Sequence, residues 1–310
     1  MLMVMLYSGF RILESTVFYQ PEIVQQQPSR KTIERAGVEY FPRQDVTVIL
    51  LAGIDEFGPA VSSGSYNNSG EADMVSLLIF DESNKTLDVL SLNRDTMLDM
   101  PILGIGGKEA GKIHGQLALA HTYGTGLADS CENVKNTLMN FIHGLTVDYY
   151  VAMNMDAIPI LNDAVGGVRV NVTEDFSEID PSIPMGETVL KGQQALSYVR
   201  TRQGLGDQLN VTRMERQRAY LTGFLEALQT RVSDSASFAL DAYEKAKEFA
   251  VTDCSASGIS ALVNRLVDYK LQDVVAIEGE NVAGEQFMEY HVDPEDLDRV
   301  VLKYLYAPKK

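Results

Sequence analysis

The stretch Asp73-Met-Val-Ser-Leu-Leu-Ile-Phe80, Asp81-Glu-Ser-Asn-Lys85, Thr86-Leu-Asp-Val-Leu-Ser-Leu-Asn-Arg94 reads as a β-hairpin. Two runs rich in Val, Leu, Ile and Phe flank a polar turn. Closing the loop at Ser83 and Asn84 pairs Glu82 with Lys85, and each earlier residue with its mirror across the turn. Carried back, this register sets Asp73 opposite Arg94. Cross-strand neighbours stand roughly 4.5 to 5.5 Å apart at Cβ, so a carboxylate and a guanidinium distant in sequence would share one end of a sheet. Taken alone, such a pair is a surface ion pair at a strand end, worth about 0 to 1 kcal/mol. Its meaning depends on which other charges converge there.

Working outward, 310 residues with 45% hydrophobic content are enough for one large α/β domain or two small ones. The net charge of −17 excludes broad contact with nucleic acid, which needs clustered Lys and Arg. An anionic ligand would have to be met by a local basic cluster. Cys131 and Cys254 show no metal-ligand spacing, which leaves either a long-range disulfide or two buried thiols. No run reaches the ~18 apolar residues of a membrane span. The apolar start, Met1 to Leu13, is read either as the outer part of such a span or as a frayed amphipathic terminus. The polar stretch 15–44, with Pro21, Pro28, Pro42 and Gln25 to Gln27, is expected to be an extended tether, so the division is 1–44 tether and 45–310 folded domain.

Within the domain, Val46 to Ala52 is an apolar strand ending in Gly53-Ile54-Asp55, and a Gly, Ser and Asn-rich loop leads from Gly58 to Gly70. After Arg94, Gly106 to Lys112 fits most of a phosphate loop, but Ile113 stands where the magnesium-binding hydroxyl belongs, so the match is weak. Helical spacing is expected over 115–123, 132–142, 156–165, 192–199, 211–230, 259–267 and 294–306, with strands at 149–153, 168–172 and 274–277. That alternation favours a sheet with helices on its faces. The four histidines, His114, His121, His143 and His291, make no metal spacing, and no Gly-x-Ser-x-Gly elbow is present. From Ala250 on, the expected role is packing.

Two acids at strand ends, Asp55 and Asp73, therefore stand with Arg94, Arg200, Arg202, Arg213 and the amide of Gln217. Arg200 and Arg202 project the same way if the chain is extended there, and Arg213 and Gln217 lie on one face at the start of a helix. An arginine in a first turn goes against the helix dipole but suits an anion held by the free N–H groups there. In so acidic a chain, four arginines near loop-covered strand ends suit a pyrophosphate, whose oxygens match guanidinium forks. Two carboxylates beside phosphates suit magnesium. The competing reading is scattered surface ion pairs.

The series Leu-Leu-Ala-Gly-Ile-Asp55, Ala-Asp73-Met, Leu-Asn-Arg94-Asp-Thr, Gly-Lys112-Ile-His, Val-Gly-Gly-Val, Leu-Lys-Gly-Gln-Gln-Ala-Leu-Ser-Tyr-Val-Arg200-Thr-Arg202 and Arg213-Met-Glu-Arg-Gln217 resembles the LytR-CpsA-Psr family across about Val46 to Leu228. The resemblance implies a three-layer α/β/α sandwich around a mixed sheet containing the hairpin. It implies an enzyme at the outer face of the bacterial cell membrane, held by an N-terminal anchor, that moves a glycopolymer from a polyprenyl-pyrophosphate carrier to peptidoglycan as a phosphodiester. Asp55 and Asp73 match the family's magnesium ligands, with Mn²⁺ as the alternative ion. Arg94, Arg200, Arg202, Arg213 and Gln217 match the residues around the pyrophosphate, and Lys112 matches the lysine of Lys-Ile-Asn. Asn93 departs from the usual proline, His114 from the usual asparagine, and Asn210 from an acid, with Asp207 as a candidate substitute.

The attacking sugar hydroxyl would expel polyprenyl phosphate while charge builds on phosphoryl oxygens. Asp73 or Asp55 is a candidate for the proton, although metal binding would lower its basicity, so no base is assigned. For the lipid tail, Leu117, Leu119, Phe141, Ile142, Ile158, Leu161, Leu221 and Leu225 are candidates, of which roughly two in three are expected to be ordinary core. Alternatives to the transferase are a polyprenyl-phosphate binder, a pyrophosphatase and a cell-envelope regulator.

Overall fold

The computed structural model describes residues 32–309 apart from 145, 203 and 206–209. The apolar N-terminal segment, most of the expected tether and Asp207 lie outside the described residues.

A short hairpin, β1 (Ile33–Arg35) and β2 (Val38–Pro42), opens the described chain. It turns through Ala36 and Gly37, both at positive φ. Residues 33–42 are therefore strand and not extended tether, because β2 also pairs with the C-terminal β15, as given below. β3 (Val46–Ile54) is apolar on both sides, as a central strand must be.

β4 (Ala72–Asp81) and β5 (Thr86–Leu92) form the hairpin read from the sequence. Their ladder runs from Asp81↔Thr86 to Val75↔Leu92, the register that sets Asp73 level with Arg94. The turn is fastened by Asp81, whose carboxylate accepts from the backbone N and the side-chain amide of Asn84, each at 2.8 Å.

β6 (Met97–Leu103) and β7 (Glu109–Gln116) follow as a second hairpin. Its turn holds Gly106 and Gly107 at positive φ, so the glycine-rich stretch is a hairpin turn and not a phosphate loop leading into a helix. The helix expected at 115–123 is only a 3-10 turn, Leu117–His121. Then come α1 (Ala128–Phe141), β8 (Tyr149–Asn154), α2 (Ala157–Ala164), β9 (Val168–Val172) and β10 (Gly186–Leu190). α3 (Gln193–Arg200), α4 (Asn210–Asp234), α5 (Phe238–Ala246), β11 (Ala250–Thr252), α6 (Ala256–Asn264) and β12 (Lys270–Ala276) continue the chain. The hairpin β13 (Gly279–Ala283) and β14 (Met288–Val292), α7 (Pro294–Leu305) and β15 (Tyr306–Pro308) close it. α7 starts as its sequence dictates, with Asp293 capping the Glu295 N–H and Pro at its first turn.

The main sheet has the order β11-β8-β3-β4-β5-β12. It is mixed: β3 and β8 are parallel, as are β5 and β12, while β3-β4, β4-β5 and β8-β11 are antiparallel. One face packs against α1 and α7 through Val134, Leu138, Val301 and Leu305. The other packs against α4 to α6 through residues such as Leu221, Leu225 and Ala239. The result is the expected three-layer α/β/α sandwich, with a smaller core around β9 and β10.

Cys131 and Cys254 are free and buried. Cys131 belongs to the α1 side, whereas Cys254 lines a cavity with Phe80, Leu225 and Leu266 on the α4 side, so the sheet separates the thiols and no disulfide forms. Burial pushes both thiols up from their ordinary range. Among the described residues no helix is long and apolar enough to cross a membrane.

Candidate functional site

Asp73 is the key to the geometry. The β3–β4 ladder pairs Gly53 with Met74 and then Ile54 with Ala72, so Asp73 is the extra residue of a bulge. A bulge re-aims a side chain, and here it turns a carboxylate into a buried position, 6% exposed. One oxygen, Oδ1, meets Arg94 Nη1, and Oδ2 accepts from Arg213 Nη1 at 2.7 Å. Asp73 and Arg94 are not the surface pair that the strand-end position alone implied, since their side chains are only 7% and 13% exposed.

Arg94 is held by three carboxylates. Besides Asp73, its Nη1 donates to Glu71 at 3.1 Å and its Nε to Asp95 at 3.3 Å. Asp95 is also buried and accepts from Gln116 and from Asn210, both at 2.9 Å. Asn210, the first residue of α4, in turn accepts from Arg213 Nη2 at 2.7 Å. Its amide also reaches Asn93 Oδ1 at 3.0 Å, so two of the positions that depart from the family pattern bond to each other. Burial pulls the Arg213 guanidinium down to about 9, helped by Arg94 and Arg202 and opposed by Asp95 and Asp55. It stays charged at neutral pH. Its Nε is buried without a partner among the described residues, a donor left for something else to meet.

Arg200 ends α3, lies 3.4 Å from Asp55 and stacks its guanidinium over the Phe57 ring at 5.2 Å. The carbonyls at that helix end are capped from α4. Arg216 Nε donates to Tyr198 O at 3.0 Å and its Nη2 to Thr201 O, while Gln217 Nε2 donates to Val199 O at 3.3 Å. Glu174 neutralises Arg216. Gln217 thus supports the arginine-bearing turn directly. Arg202 is exposed and close enough to Arg213 to repel it.

Lys112 is not brought into this cluster. It sits exposed on β7 opposite Pro101 and makes no ion pair or hydrogen bond among the described residues. The histidines are elsewhere occupied: His121 is buried on Gly70 O, and His114, His143 and His291 pair with Asp99, Asp298 and Glu289.

Part of the cluster forms one end of a cavity of about 290 Å³ between the sheet and α2, α4, α5 and α6, while Arg94, Arg202 and Asp55 lie outside its lining. Asp73, Arg200, Arg213 and Gln217 line that end, and the rest is almost wholly apolar. Of the expected lipid-facing residues, Ile158, Leu161, Leu221 and Leu225 line it. Leu117, Leu119, Phe141 and Ile142 do not, because they pack on the opposite face of the sheet. The segment after Ala250 does more than pack: Ile259 and Val263 line the cavity, and β14 braces the site by donating Tyr290 N to Asp95 O at 2.9 Å.

Among the described residues no group of three or more His, Cys, Asp or Glu is arranged to cage a metal. Asp55 and Asp73 carry hard oxygen donors of the kind Mg²⁺ takes, and both oxygens of Asp73 are engaged by Arg94 and Arg213.

A profile of the LytR_cpsA_psr family matches residues 10–303. The chain belongs to that family. The polyisoprenyl-teichoic acid–peptidoglycan teichoic acid transferase TagU of Bacillus licheniformis is 28% identical over 195 residues, 63% of this chain and 56% of that protein. TagU of Bacillus subtilis is 30% identical over 183 residues, 59% of this chain and 52% of its own. The chain thus spans about half the length of these relatives. The crystal structure of B. subtilis TagV superposes with a TM-score of 0.65 at 23% identity, covering 84% of this chain and 96% of that one, a likeness of fold. Within this LytR-CpsA-Psr fold, sequence reasoning passed over Glu71, Asp95, Glu174 and Arg216. Asking what neutralises four arginines in a folded protein would have pointed to these acids.

Proposed function

We propose that this LytR-CpsA-Psr protein transfers a glycopolymer such as teichoic acid from a polyprenyl-pyrophosphate carrier to peptidoglycan. The observation that carries the reading is the shape and chemistry of the cavity, apolar along its walls and cationic at one end. A polyprenyl chain gains ~0.8 kcal/mol per buried CH₂, so even a few isoprene units bind well in such a space. At its polar end, Arg213 Nε, which has no partner among the described residues, is an available donor for a phosphoryl oxygen. The names of the TagU relatives point to the same carrier and acceptor.

Arg94, Arg200, Arg202 and Arg213 would grip the pyrophosphate and stabilise the charge that grows on its oxygens as the sugar hydroxyl attacks. Asp55 and Asp73 would hold Mg²⁺, or Mn²⁺ in its stead. Four carboxylates, Asp55, Glu71, Asp73 and Asp95, already pair with three of these guanidiniums, those of Arg94, Arg200 and Arg213. The site is near neutral before a pyrophosphate dianion arrives, and a divalent cation would supply the matching charge. In this reading the domain works at the outer face of the membrane, tethered through its N-terminal segment, where the lipid-linked polymer and peptidoglycan meet. The net charge of −17 disfavours a regulator that touches DNA.

The test is reconstitution of the purified protein with lipid-linked polymer and peptidoglycan, with and without Mg²⁺. Polymer bound covalently to peptidoglycan, with polyprenyl phosphate released and the yield lost in chelator, is the expected result. Release of free polymer alone would make the protein a pyrophosphatase. Lipid bound without turnover would make it a binder.

A further inference from the structure

Arg200 and Arg213 both line the polar end of the cavity, but only Arg213 is firmly fixed, by Asp73 and Asn210. The Arg200 side chain is 48% exposed and meets Asp55, itself 39% exposed, at 3.4 Å. A pair so open to water does little to order a long side chain. The Arg200 guanidinium also lies over the Phe57 ring, 5.2 Å from its centroid. Phe57 is 54% exposed, which in a single apolar residue means little. Its backbone frame is more telling. Met155 N donates to Glu56 O at 2.9 Å, Gly58 N to Asp156 Oδ2 at 2.7 Å, and Asn154 Nδ2 to Gly58 O at 3.0 Å. The residues on both sides of Phe57 are thus tied to the end of β8 and the start of α2. Phe57 does not line the cavity, so the ring supports from outside an arginine that faces in.

We propose that Phe57 is a positioning residue for Arg200, holding its guanidinium ready for the pyrophosphate of the lipid carrier, an inference that rests on the transferase reading above. A guanidinium over an aromatic face is attracted by the ring quadrupole and spends none of its N–H groups there. Those groups stay available for phosphoryl oxygens, whereas a carboxylate partner competes for them. The ring therefore restrains the side chain before the ligand arrives without occupying the atoms the ligand needs. Binding then costs less in ordering.

The experiment is calorimetric titration of the full chain with geranylgeranyl pyrophosphate, in chelator so that no divalent ion contributes. It compares the parent with Phe57→Leu, Phe57→Tyr, Arg200→Met and the double variant Phe57→Leu with Arg200→Met. Phe57→Leu keeps apolar bulk and loses the aromatic face. It should weaken binding about two- to twelvefold, equivalent at ~1.4 kcal/mol per tenfold to the ~0.5 to 1.5 kcal/mol that ordering one long side chain costs. Phe57→Tyr should recover the parent's affinity, and Phe57→Leu should cost nothing further in the Arg200→Met background. Thermal midpoints should agree across the set, because both side chains are largely exposed. Phe57→Leu that binds like the parent, that loses the same factor with and without Arg200, or that Phe57→Tyr merely matches would overturn the role and leave the transferase reading intact. Arg200→Met that binds like the parent would remove Arg200 from the pyrophosphate site, and the role of Phe57 with it. A parent protein that does not bind the lipid would overturn both.

Discussion

Alanine in place of Asp73 is expected to lower the unfolding free energy by about 3 to 5 kcal/mol and to stop transfer. The reason is burial. Arg213 is 2% exposed, its charge is already strained by desolvation and by Arg94 and Arg202, and among the described residues Asp73 is its one carboxylate partner in direct contact. Removing that partner leaves an uncompensated buried cation, a far larger penalty than loss of an exposed pair. On a total stability of about 5 to 15 kcal/mol, the change is large enough to read in a denaturant melt. Two companion variants separate the causes. Asp73→Asn keeps volume and one acceptor and should lose less stability, while Asp73→Ala with Arg213→Met removes both charges and should recover much of it. Neither should transfer. A melt of Asp73→Ala identical to the parent would show that the pair is not buried in solution.

Alanine at Arg94 is expected to reduce transfer by about a hundred- to a thousand-fold, equivalent to ~3 to 4 kcal/mol of barrier. Arg94 is where Glu71, Asp73 and Asp95 converge, so it is the cation best placed to pass between these acids and a phosphoryl oxygen. Its loss should weaken binding of polyprenyl pyrophosphate at every magnesium concentration, whereas Asp73→Asn should mainly weaken the response to magnesium. Arg94→Lys keeps the charge but not the planar fork, and should restore more stability than rate. Titration of lipid pyrophosphate by calorimetry, run with and without Mg²⁺, checks the contrast. Equal lipid affinity in Arg94→Ala and the parent would remove Arg94 from the pyrophosphate site.

The hairpin and the pairing of Asp73 with Arg94 were legible because mirror symmetry about a polar turn fixes register, and a slip would have turned the apolar residues outward. The burial of that pair was not legible. It depends on the bulge against β3, which no pattern within the hairpin itself encodes. The arginines of the site could be read as a group because they stand at the ends of a strand and of a helix and in the first turn of the next helix, in a chain with fewer basic than acidic residues, 26 against 43. Glu71 and Asp95 were hidden for the opposite reason, as two acids among 43. The cavity was half legible. Apolar helix stripes look the same whether they meet a sheet or an open space, so Leu221 and Phe141 could not be told apart. The distinguishing signal was small residues: Ala239, Ala242 and Ala246 run along one side of α5 and leave the space that bulkier side chains would fill. The strands at 33–42 were obscured by prolines and by a partner, β15, at the far end of the chain.

The claim at the centre of this account is that one cavity holds the lipid with its pyrophosphate on the arginine end. The direct measurement is photocrosslinking of the full chain with a polyprenyl pyrophosphate that carries a photoreactive group on its tail, followed by peptide mapping. The account predicts adducts on the α2, α4 and α5 side, at Ile158, Leu221, Leu225 or Tyr243, which unlabelled lipid pyrophosphate competes away. Adducts on the α1 side at Leu117 or Phe141, or labelling that competitor does not reduce, would contradict it.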